Sequence, residues 1–584
     1  MTEKSMYLPD ECWELIFNSF DNDRHFEFPS LVCHRFLSIT NQLRRTLTIT
    51  NQVVHSLHAL LRRFQNLKEI EIRNFMGDLD SLLFEISQFN LDLESIDFSK
   101  HKLFPCLGLR ELGPKMRNLR VLNCSNVRFL QDSDVISIGF AFPFLEELDI
   151  SYPNYSDSYC PDGLYSSPRC LSECHVTDAG IVELSLKLPN LRKIILSGNR
   201  FVTDKSLASL LVNCLLLEEI GVRDCDFITQ KGIGTVLRLC PNLSSLSLNR
   251  VTVPCADSLF EDSFAFAKNL RELDLSHSSA NDKLLCGLAK AYLPLKKLSF
   301  SCCRNISCAG TSFVLYNYRF LAYLDLEGVR FLSDEILLGL SMFLQNLTFI
   351  NLNFCSKLTN LAFFTITRSC PLLSDIRMER TSLGTQDLPM DFAVNNKVKS
   401  LSLSANPNLG DECLKKIAFT CPNLQVLDVS RCPRITDEGI SEILSSCCEI
   451  RHLEINHCIG IGNFIIDCQL PCLEVLRAQG PVINDGVLAL LAERSPGLLH
   501  LDLESCVNVT TTGIKKIVAN CIKLREINLK WCNNVSLDIV AWMVFSRPSL
   551  RRIVPPRDIV SSESRRNFFL LHGCFVDDSG RKPL

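Results

Sequence analysis

The chain has 584 residues, a formal net charge of −4 and 46% hydrophobic residues. The lack of a basic excess argues against a general nucleic-acid-binding protein, and the hydrophobic fraction excludes a globally disordered chain. The N-terminus lacks the segments of a signal peptide. No apolar stretch is as long as a membrane-spanning helix, which needs about 18 residues. We therefore expect a soluble intracellular protein of the nucleus or cytoplasm with no membrane partner.

Residues 1–50 predict a small all-α domain of two or three short helices. Pro9 suits the first turn of a helix, and Leu8 before it can pack against that helix. Apolar residues then recur at helical spacing, at Trp13, Ile16, Phe17 and Phe20. A second apolar face follows at Leu31, Val32, Phe36 and Ile39. Because so small a domain cannot bury all of this surface, we expect part of it to contact the chain behind it or a partner.

The motifs of this segment resemble an F-box. The segment opens with Leu8-Pro9-Asp10-Glu11, continues with Ile16-Phe17 and carries Leu31-Val32-Cys33-His34-Arg35-Phe36. The family usually has Leu-Val-Cys-Lys-Arg-Trp in the last stretch, so His34 and Phe36 are departures. The resemblance implies docking onto the Skp-family adaptor of a cullin-based ubiquitin ligase. The docking residues that it implies are Leu8, Pro9, Ile16, Phe17, Leu31, Val32, Cys33 and Phe36. On helical spacing alone, a helical cap for the chain behind it remains the alternative.

After a connection at residues 51–66, a leucine-rich frame repeats through residues 67–553. One frame consists of Leu424, Leu427, Val429 and Cys432. The frame starts nineteen times, and twelve of the eighteen intervals are 26 residues. The longest interval, from residue 145 to residue 191, contains an insertion near 154–174. This regularity predicts a solenoid of about 18 repeats, followed by a C-terminal cap or tail at residues 554–584.

Each repeat predicts a strand, a turn, a helix and a return. The first, fourth and sixth frame positions point into the core, and the third, fifth and seventh point to solvent. A triplet such as 435–437 follows, in which Thr436 can cap a helix and Asp437 suits its dipole. Ile440, Ile443 and Leu444 then have the spacing of an amphipathic helix.

This pattern resembles the cysteine-containing subtype of leucine-rich repeats. The resemblance implies an α/β solenoid, a curved horseshoe with an inner parallel sheet and outer helices. Thirteen of the 29 cysteines keep a fixed place in the repeat, and seven of these lie eight residues after the frame start. Since no pair has the C-x-x-C spacing of zinc ribbons or RING modules, we expect no metal site and reduced, buried thiols.

The insertion near 154–174 is a candidate binding loop. Tyr152, Tyr155, Tyr159 and Tyr165 fall within 14 residues. Tyrosine provides a large contact area at a small entropy cost and is enriched at binding surfaces. A long loop between regular repeats is either functional or a neutral insertion, and the sequence leaves both alternatives open.

The solvent-facing strand positions carry charges of both signs. Arg223, Arg377 and Arg477 are candidates for substrate binding, and glutamates stand at neighbouring positions. This mixture indicates a polar protein or peptide partner. Aspartates recur at the fifth frame position, at Asp97, Asp149, Asp274, Asp325, Asp428 and Asp502. Because they recur with the repeat, we expect a solvated ladder and no catalytic carboxylate pair.

The chain lacks the common nucleotide-binding and metalloprotease motifs, so we expect no catalytic residues. The two resemblances together imply the substrate-recognition adaptor of an SCF-type (Skp–cullin–F-box) ligase. Such an adaptor reaches a cullin and a RING subunit through the Skp-family protein and holds an unknown protein substrate for degradation. The plant auxin and jasmonate receptors share this layout and bind a small hormone and inositol phosphate, but none of their pocket residues is recognisable here. A hormone or inositol phosphate receptor, and a repeat scaffold unconnected to ubiquitin, are the alternatives.

Overall fold

The chain divides into two compact units, Met1–Leu273 and Asp274–Leu584. The computed structural model describes residues 8–19, 26–153, 175–248, 258–385, 393–462, 466–480, 483–557 and 568–577. Within these ranges, each helix is too short or too polar to cross a membrane. The insertion with Tyr155, Tyr159 and Tyr165 lies outside the described residues.

The first unit opens with three short helices, α1 Asp10–Asn18, α2 Glu27–Ser30 and α3 His34–Leu43. The parallel sheet follows directly with β1 Thr46–Ile49, in which Leu47 lies opposite Ile70 of the next strand. The repeats therefore begin one strand before the predicted first frame at residue 67. Residues 51–66, predicted as a connection, contain the helices of this extra repeat. The sequence pattern missed it because Arg44 occupies the first frame position.

Parallel strands, in chain order, alternate with helices through the rest of the first unit. The strands are β2 Glu69–Ile72, β3 Ser95–Asp97, β4 Val121–Asn123, β5 Glu147–Asp149, β6 Lys193–Ile195, β7 Glu219–Gly221, β8 Ser245–Ser247 and β9 Glu272–Asp274. The helices are α4 Asn51–Val54, α5 Leu57–Arg63, α6 Leu79–Ser87, α7 Cys106–Leu112, α8 Asp132–Ala141, α9 Asp178–Lys187, α10 Asp204–Asn213, α11 Gln230–Leu239 and α12 Ser258–Ser263, and a 3-10 helix follows at Phe264–Phe266.

The second unit also contains only parallel strand pairs among its described residues, and its strands alternate with helices except between β13 and β14 and between β16 and β17, where the described residues contain no helix. Its strands are β10 Lys297–Ser299, β11 Tyr323–Asp325, β12 Phe349–Asn351, β13 Asp375–Arg377, β14 Ser400–Ser402, β15 Val426–Asp428, β16 His452–Glu454, β17 Val475–Arg477, β18 His500–Asp502, β19 Glu526–Asn528, β20 Arg552–Val554 and β21 Phe575–Val576. Its helices are α13 Asp282–Lys290, α14 Cys308–Asn317, α15 Asp334–Ser341, α16 Asn360–Ser369, α17 Asp411–Thr420, α18 Asp437–Ser446, α19 Asp485–Arg494, α20 Thr511–Asn520 and α21 Ile539–Ser546. The last strand lies in the predicted tail and extends the sheet, with Phe575 opposite Arg552.

The frame residues form the core, so each unit is an α/β solenoid of leucine-rich repeats, as predicted. In the frame that starts at Leu424, the side chains of Leu424, Leu427 and Val429 are fully buried. Ile440 and Ile443 of α18 are buried as well. Burying each such side chain contributes about 1.5–3 kcal/mol. The third and fifth frame positions remain partly exposed, and they form what we call the open face of the sheet.

Successive helices are joined by a contact that we call the threonine–aspartate link. Thr436 donates its backbone N–H to Asp411 Oδ1 at 2.8 Å and its hydroxyl to Oδ2 at 2.6 Å, while the same hydroxyl caps α18. The link recurs at Asp132–Thr177, Asp178–Thr203, Asp204–Thr229, Asp282–Ser307, Asp334–Thr359 and Asp485–Thr510. The aspartate was expected to favour its own helix dipole. It also accepts two charge-assisted hydrogen bonds from the following repeat.

The seven cysteines eight residues after the frame start lie in the core and donate to the preceding repeat. The Cys432 thiol points to the Leu403 carbonyl at 3.4 Å, and the Cys532 thiol to the Leu503 carbonyl at 3.0 Å. The other five, Cys225, Cys303, Cys355, Cys458 and Cys506, make the same contact. In the described part of the chain, no three His, Cys, Asp or Glu side chains are arranged to hold a metal ion.

We expect these buried thiols to resist alkylation in the folded protein. Burial raises the pKa of Cys432 and of Cys532 to about 12, so about one thiol in ten thousand is ionised at pH 8. Cys33 and Cys448 are exposed. Timed iodoacetamide labelling at pH 8, read by peptide mass spectrometry, should modify Cys33 and Cys448 first and Cys432 only after unfolding. Equal labelling rates would contradict the buried assignment.

The aspartates at the fifth frame position recur with the repeat and, apart from Asp274, remain partly exposed, and each also accepts a hydrogen bond within its own repeat. Asp428 Oδ1 accepts the backbone N–H of Ser430 at 2.8 Å, and Asp325 Oδ1 accepts that of Glu327 at 3.0 Å. The same bond to the residue two positions later recurs at Asp97, Asp149, Asp274 and Asp502. Partial burial raises the pKa of Asp428 and of Asp325. These carboxylates therefore fix the turn that follows each strand.

Candidate interaction surfaces

The three N-terminal helices pack around a small aromatic core. Phe17 of α1 and Ile39 of α3 are buried in it together with Phe26 and Leu43. The Trp13 and Phe36 rings pack against this core, with ring centroids 4.6 Å apart. This core orients the outer sides of α1 and α3.

Arg35 joins the start of α3 to the start of α1. Its Nε donates to Asp10 Oδ1 at 2.5 Å, and its guanidinium also donates to the Leu8 carbonyl at 2.6 Å. Cys33 caps α3, because its sulfur accepts the backbone N–H of Phe36 at 3.4 Å. As a result, Leu8 lies on the same side of the domain as the residues that precede α3.

Six of the eight predicted docking residues are exposed. Leu31 is 84% exposed and Val32 is 69% exposed, immediately before α3. The others are Leu8, Pro9, Ile16 and Cys33. Leu15, which the motif did not include, is 73% exposed on α1. We call the apolar residues Leu8, Leu15, Ile16, Leu31 and Val32 the N-terminal patch.

The remaining two predicted docking residues belong to the interior. Phe17 is only 3% exposed, and its ring packs edge-on against Phe36 with centroids 5.2 Å apart. Phe36 itself is half-buried. The structure therefore corrects the assignment of Phe17, which holds α1 against α3 and offers almost no surface to a partner. Helical spacing alone could not separate the two faces, because both faces of α1 are apolar.

On the open face of the second unit, four side chains form a stack across four strands, which we call the aromatic column. The Tyr323 and Phe349 rings are parallel, with centroids 4.1 Å apart. Lys297 Nζ lies 5.0 Å from the Tyr323 ring centroid, and the Arg377 guanidinium carbon lies 5.0 Å from that of Phe349. Each cation thus covers one end of the aromatic pair, which favours a fixed geometry.

Carboxylates surround the aromatic column and make its environment mixed in charge. Asp375 lies 3.6 Å from Arg377, at ion-pair distance. Burial raises the pKa of Tyr323, and the charge of Asp325 adds to that effect. Rigid aromatic rings with charges of both signs around them are typical of protein-binding surfaces.

The three predicted arginines have different surroundings. Arg377 belongs to the aromatic column, whereas Arg477 pairs with Glu454 at 3.1 Å. Their strands, β13 and β17, are four positions apart in the sheet, which corresponds to about 19 Å at the usual strand spacing. Arg223 lies in the first unit, in the turn after β7, where its backbone N–H donates to Ser197 Oγ.

Tyr152 has a defined intramolecular partner. Its hydroxyl donates to Asp224 Oδ2 at 3.1 Å, and its ring passes over Gly198, where a Cβ would lie 2.5 Å from Tyr152 Cδ1. Burial, followed by the charge of Asp224, raises the pKa of Tyr152 to about 12. The prediction that Tyr152 binds substrate stays untested, but its hydroxyl already bridges two repeats of the first unit.

We expect Tyr152→Phe to lower the free energy of unfolding of the first unit by about 1 kcal/mol, the usual net value of one hydrogen bond. Urea unfolding followed by circular dichroism should show the loss. Tyr292→Phe is the control, because Tyr292 is 76% exposed. If the two variants were equally stable, the Tyr152 hydroxyl would contribute nothing.

The sequence interpretation missed the aromatic residues of the open face. Tyr323 and Phe349 occupy the third frame position of consecutive repeats, and this adjacency is the signal that could have found them. Phe354 lies in the turn after β12, and the Arg380 guanidinium carbon lies 5.2 Å from its ring centroid. The pattern of charged residues does not reveal these rings.

The chain is similar to leucine-rich-repeat proteins in its repeats. Over a short stretch it is also similar to an F-box/LRR-repeat protein. The model of the family described as Leucine Rich repeat matches residues 420–444. The F-box/LRR-repeat protein 4 of Bos taurus is 31% identical over 106 residues, which is 18% of this chain and 14% of that protein's length. Among solved structures, a chain of the Rad7 and Elc1 complex in yeast is 16% identical with a TM-score of 0.45, covering 74% of this chain and 95% of its own length. A chain of the mouse RP105/MD-1 complex is 14% identical with a TM-score of 0.41, covering 86% and 89%.

Proposed function

We propose that the chain is a substrate-recognition adaptor of an SCF-type E3 ubiquitin ligase, in which the N-terminal patch docks onto a Skp-family protein. The observation that carries this is the exposure of Leu31 and Val32 on a domain whose core is already filled by Phe17 and Phe26. An apolar patch that the domain does not need for its own folding is typical of a docking surface. The name of the bovine relative combines the same two elements.

The geometry of the N-terminal patch suits a groove on a helical partner. Leu31 and Val32 project beside the α3 N-terminus, and Arg35 holds Leu8 on the same side. Burying each large aliphatic side chain contributes about 1.5–3 kcal/mol, so a few such residues supply most of the affinity of a stable complex. Docking of a helical apolar face into a groove is a common mode of protein recognition.

The repeats hold the substrate, and the ubiquitin chemistry belongs to other subunits. The Skp-family protein links this chain to a cullin and a RING subunit, and the open face positions a protein near the conjugating enzyme. Holding the acceptor lysine close raises its effective concentration, which accelerates transfer without a catalytic group on this chain. The aromatic column, with Tyr323 and Phe349 between two cations, is the substrate surface that we assign.

A calorimetric titration of the purified full chain with a purified Skp-family adaptor tests the docking. We expect a one-to-one complex with a negative heat-capacity change, because apolar area is buried. A folded, monomeric chain that gives no binding heat at about 50 μM would contradict the proposal and favour a repeat scaffold unconnected to ubiquitin.

A further inference from the structure

A groove opens on the helical side of the first unit, between α7 and α8. Its volume is about 660 Å³. Ligand pockets typically have volumes of about 300–1,000 Å³. α7 has seven residues and is shorter than α8, which has ten. The buried frame residue Leu119 contributes to the lining of the groove, whereas the N-terminal patch does not.

The surface of the groove is strongly apolar. Leu107 is 66% exposed on α7, and Phe140 is 67% exposed on α8, while Phe144 lies half-exposed after α8. Gly113, after α7, allows a close approach to the end of α8, because a Cβ there would lie 2.6 Å from the Ala141 carbonyl oxygen. Three large exposed apolar side chains around one concave surface are unusual for a region exposed only to water.

The charge around the groove is positive. Arg110 and Arg117 are exposed on its α7 side, and among the fourteen described lining residues none is acidic. In the described part of the chain, no carboxylate pairs with either guanidinium. Lys187 Nζ lies 4.8 Å from the Phe140 ring centroid, which adds a third cation at the opposite edge.

Two carboxylates close to the groove in the sequence or in a neighbouring cavity already pair with other cations. Asp92, in a smaller neighbouring cavity, pairs with Lys68 at 2.5 Å. Glu146 lies 3.5 Å from Arg120 and also pairs with Arg192. The described lining of the groove therefore carries two arginines and no carboxylate.

We propose that this groove binds a peptide segment of a partner protein that carries bulky apolar side chains next to carboxylates. Apolar side chains of the segment would contact Phe140 and Leu107, and its carboxylates would pair with Arg110 and Arg117. Apolar burial provides affinity, and charge complementarity selects acidic over basic segments. The groove shares no residue with the N-terminal patch or the aromatic column, which carry the proposed function. The peptide-binding proposal and the proposed function can therefore fail independently.

A random twelve-residue peptide library displayed on phage and selected on the full chain tests the proposal. The test variant combines Phe140→Ser with Arg117→Glu, and the control combines Phe313→Ser with Arg304→Glu, two exposed residues of the second unit. We expect enriched peptides that are net acidic with apolar anchors. They should bind the wild type and the control at least about tenfold better than the test variant.

Three results would overturn the proposal. Enriched peptides that are neutral or basic would contradict the charge argument, and peptides that bind the test variant as well as the wild type would place the site elsewhere. Recovery of no enriched peptide would contradict peptide binding at the groove.

Discussion

Replacing Gly439 with alanine is expected to lower the free energy of unfolding of the repeats around α18 by about 2–4 kcal/mol. A Cβ at this position would lie 2.3 Å from Asp411 Oδ1, the atom that accepts the Thr436 N–H. Either Asp411 turns away and loses both bonds of the threonine–aspartate link, or α18 shifts from α17. Because a solenoid of this length need not unfold in one step, hydrogen exchange of the α18 amides is the appropriate measurement. We expect exchange at least about thirtyfold faster.

Gly339→Ala is the matched control for this prediction. Gly339 also lies within a helix, α15, but no atom comes within 4 Å of its added Cβ. Alanine there should stabilise the helix by about 0.5–1 kcal/mol. If Gly439→Ala slowed exchange in α18 as Gly339→Ala is expected to slow it in α15, helix propensity and not the contact with Asp411 would decide the effect at Gly439.

The combined substitution Leu31→Asp and Val32→Asp is expected to weaken binding to a Skp-family adaptor at least about a hundredfold, which corresponds to about 2.7 kcal/mol. Both side chains are largely exposed, so the folded domain loses little. In a complex, two carboxylates would replace two buried aliphatic groups and would have to lose their hydration. Titration calorimetry with the purified adaptor measures the change.

Val212→Asp with Leu215→Asp provides the matched control for the N-terminal patch. These residues are 73% and 71% exposed, at and after the end of α10. The pair introduces the same charges into the first unit at a different place, so adaptor affinity should stay unchanged. Equal weakening by the two variants would mean that added charge, and not the N-terminal patch, controls binding.

The repeat fold could be predicted from sequence because each repeat imposes the same local constraints. Leu424 and Leu427 recur at fixed spacing, and the triplet around Thr436 marks each helix start. The extra repeat at β1 was missed because Arg44 replaces the apolar residue there, and backbone pairing with β2 does not need that side chain. The leucine frame also could not show that Asp411 accepts a hydrogen bond from Thr436 of the next repeat, since these two residues are 25 positions apart.

The interaction surfaces were predictable only in part. The F-box motif located Leu31 and Val32, but it also included Phe17, because a motif records which residues recur and not which way each side chain points. The aromatic column depends on the register of β11 and β12, which stacks Tyr323 on Phe349. The groove beside α7 involves the close approach at Gly113, which a periodic pattern does not reveal.

The most direct test of the adaptor role is to measure ubiquitin on the proteins that the chain captures from cells under proteasome inhibition. Wild type is compared with the Leu31→Asp, Val32→Asp variant by quantifying the lysine remnants that ubiquitin leaves after trypsin. We expect the same captured proteins in both samples, with ubiquitin remnants on them several-fold lower for the variant because the open face is intact and only the docking patch is changed. Equal remnants on the captured proteins would contradict the claim that the N-terminal helices bring ligase machinery to a substrate held by the repeats.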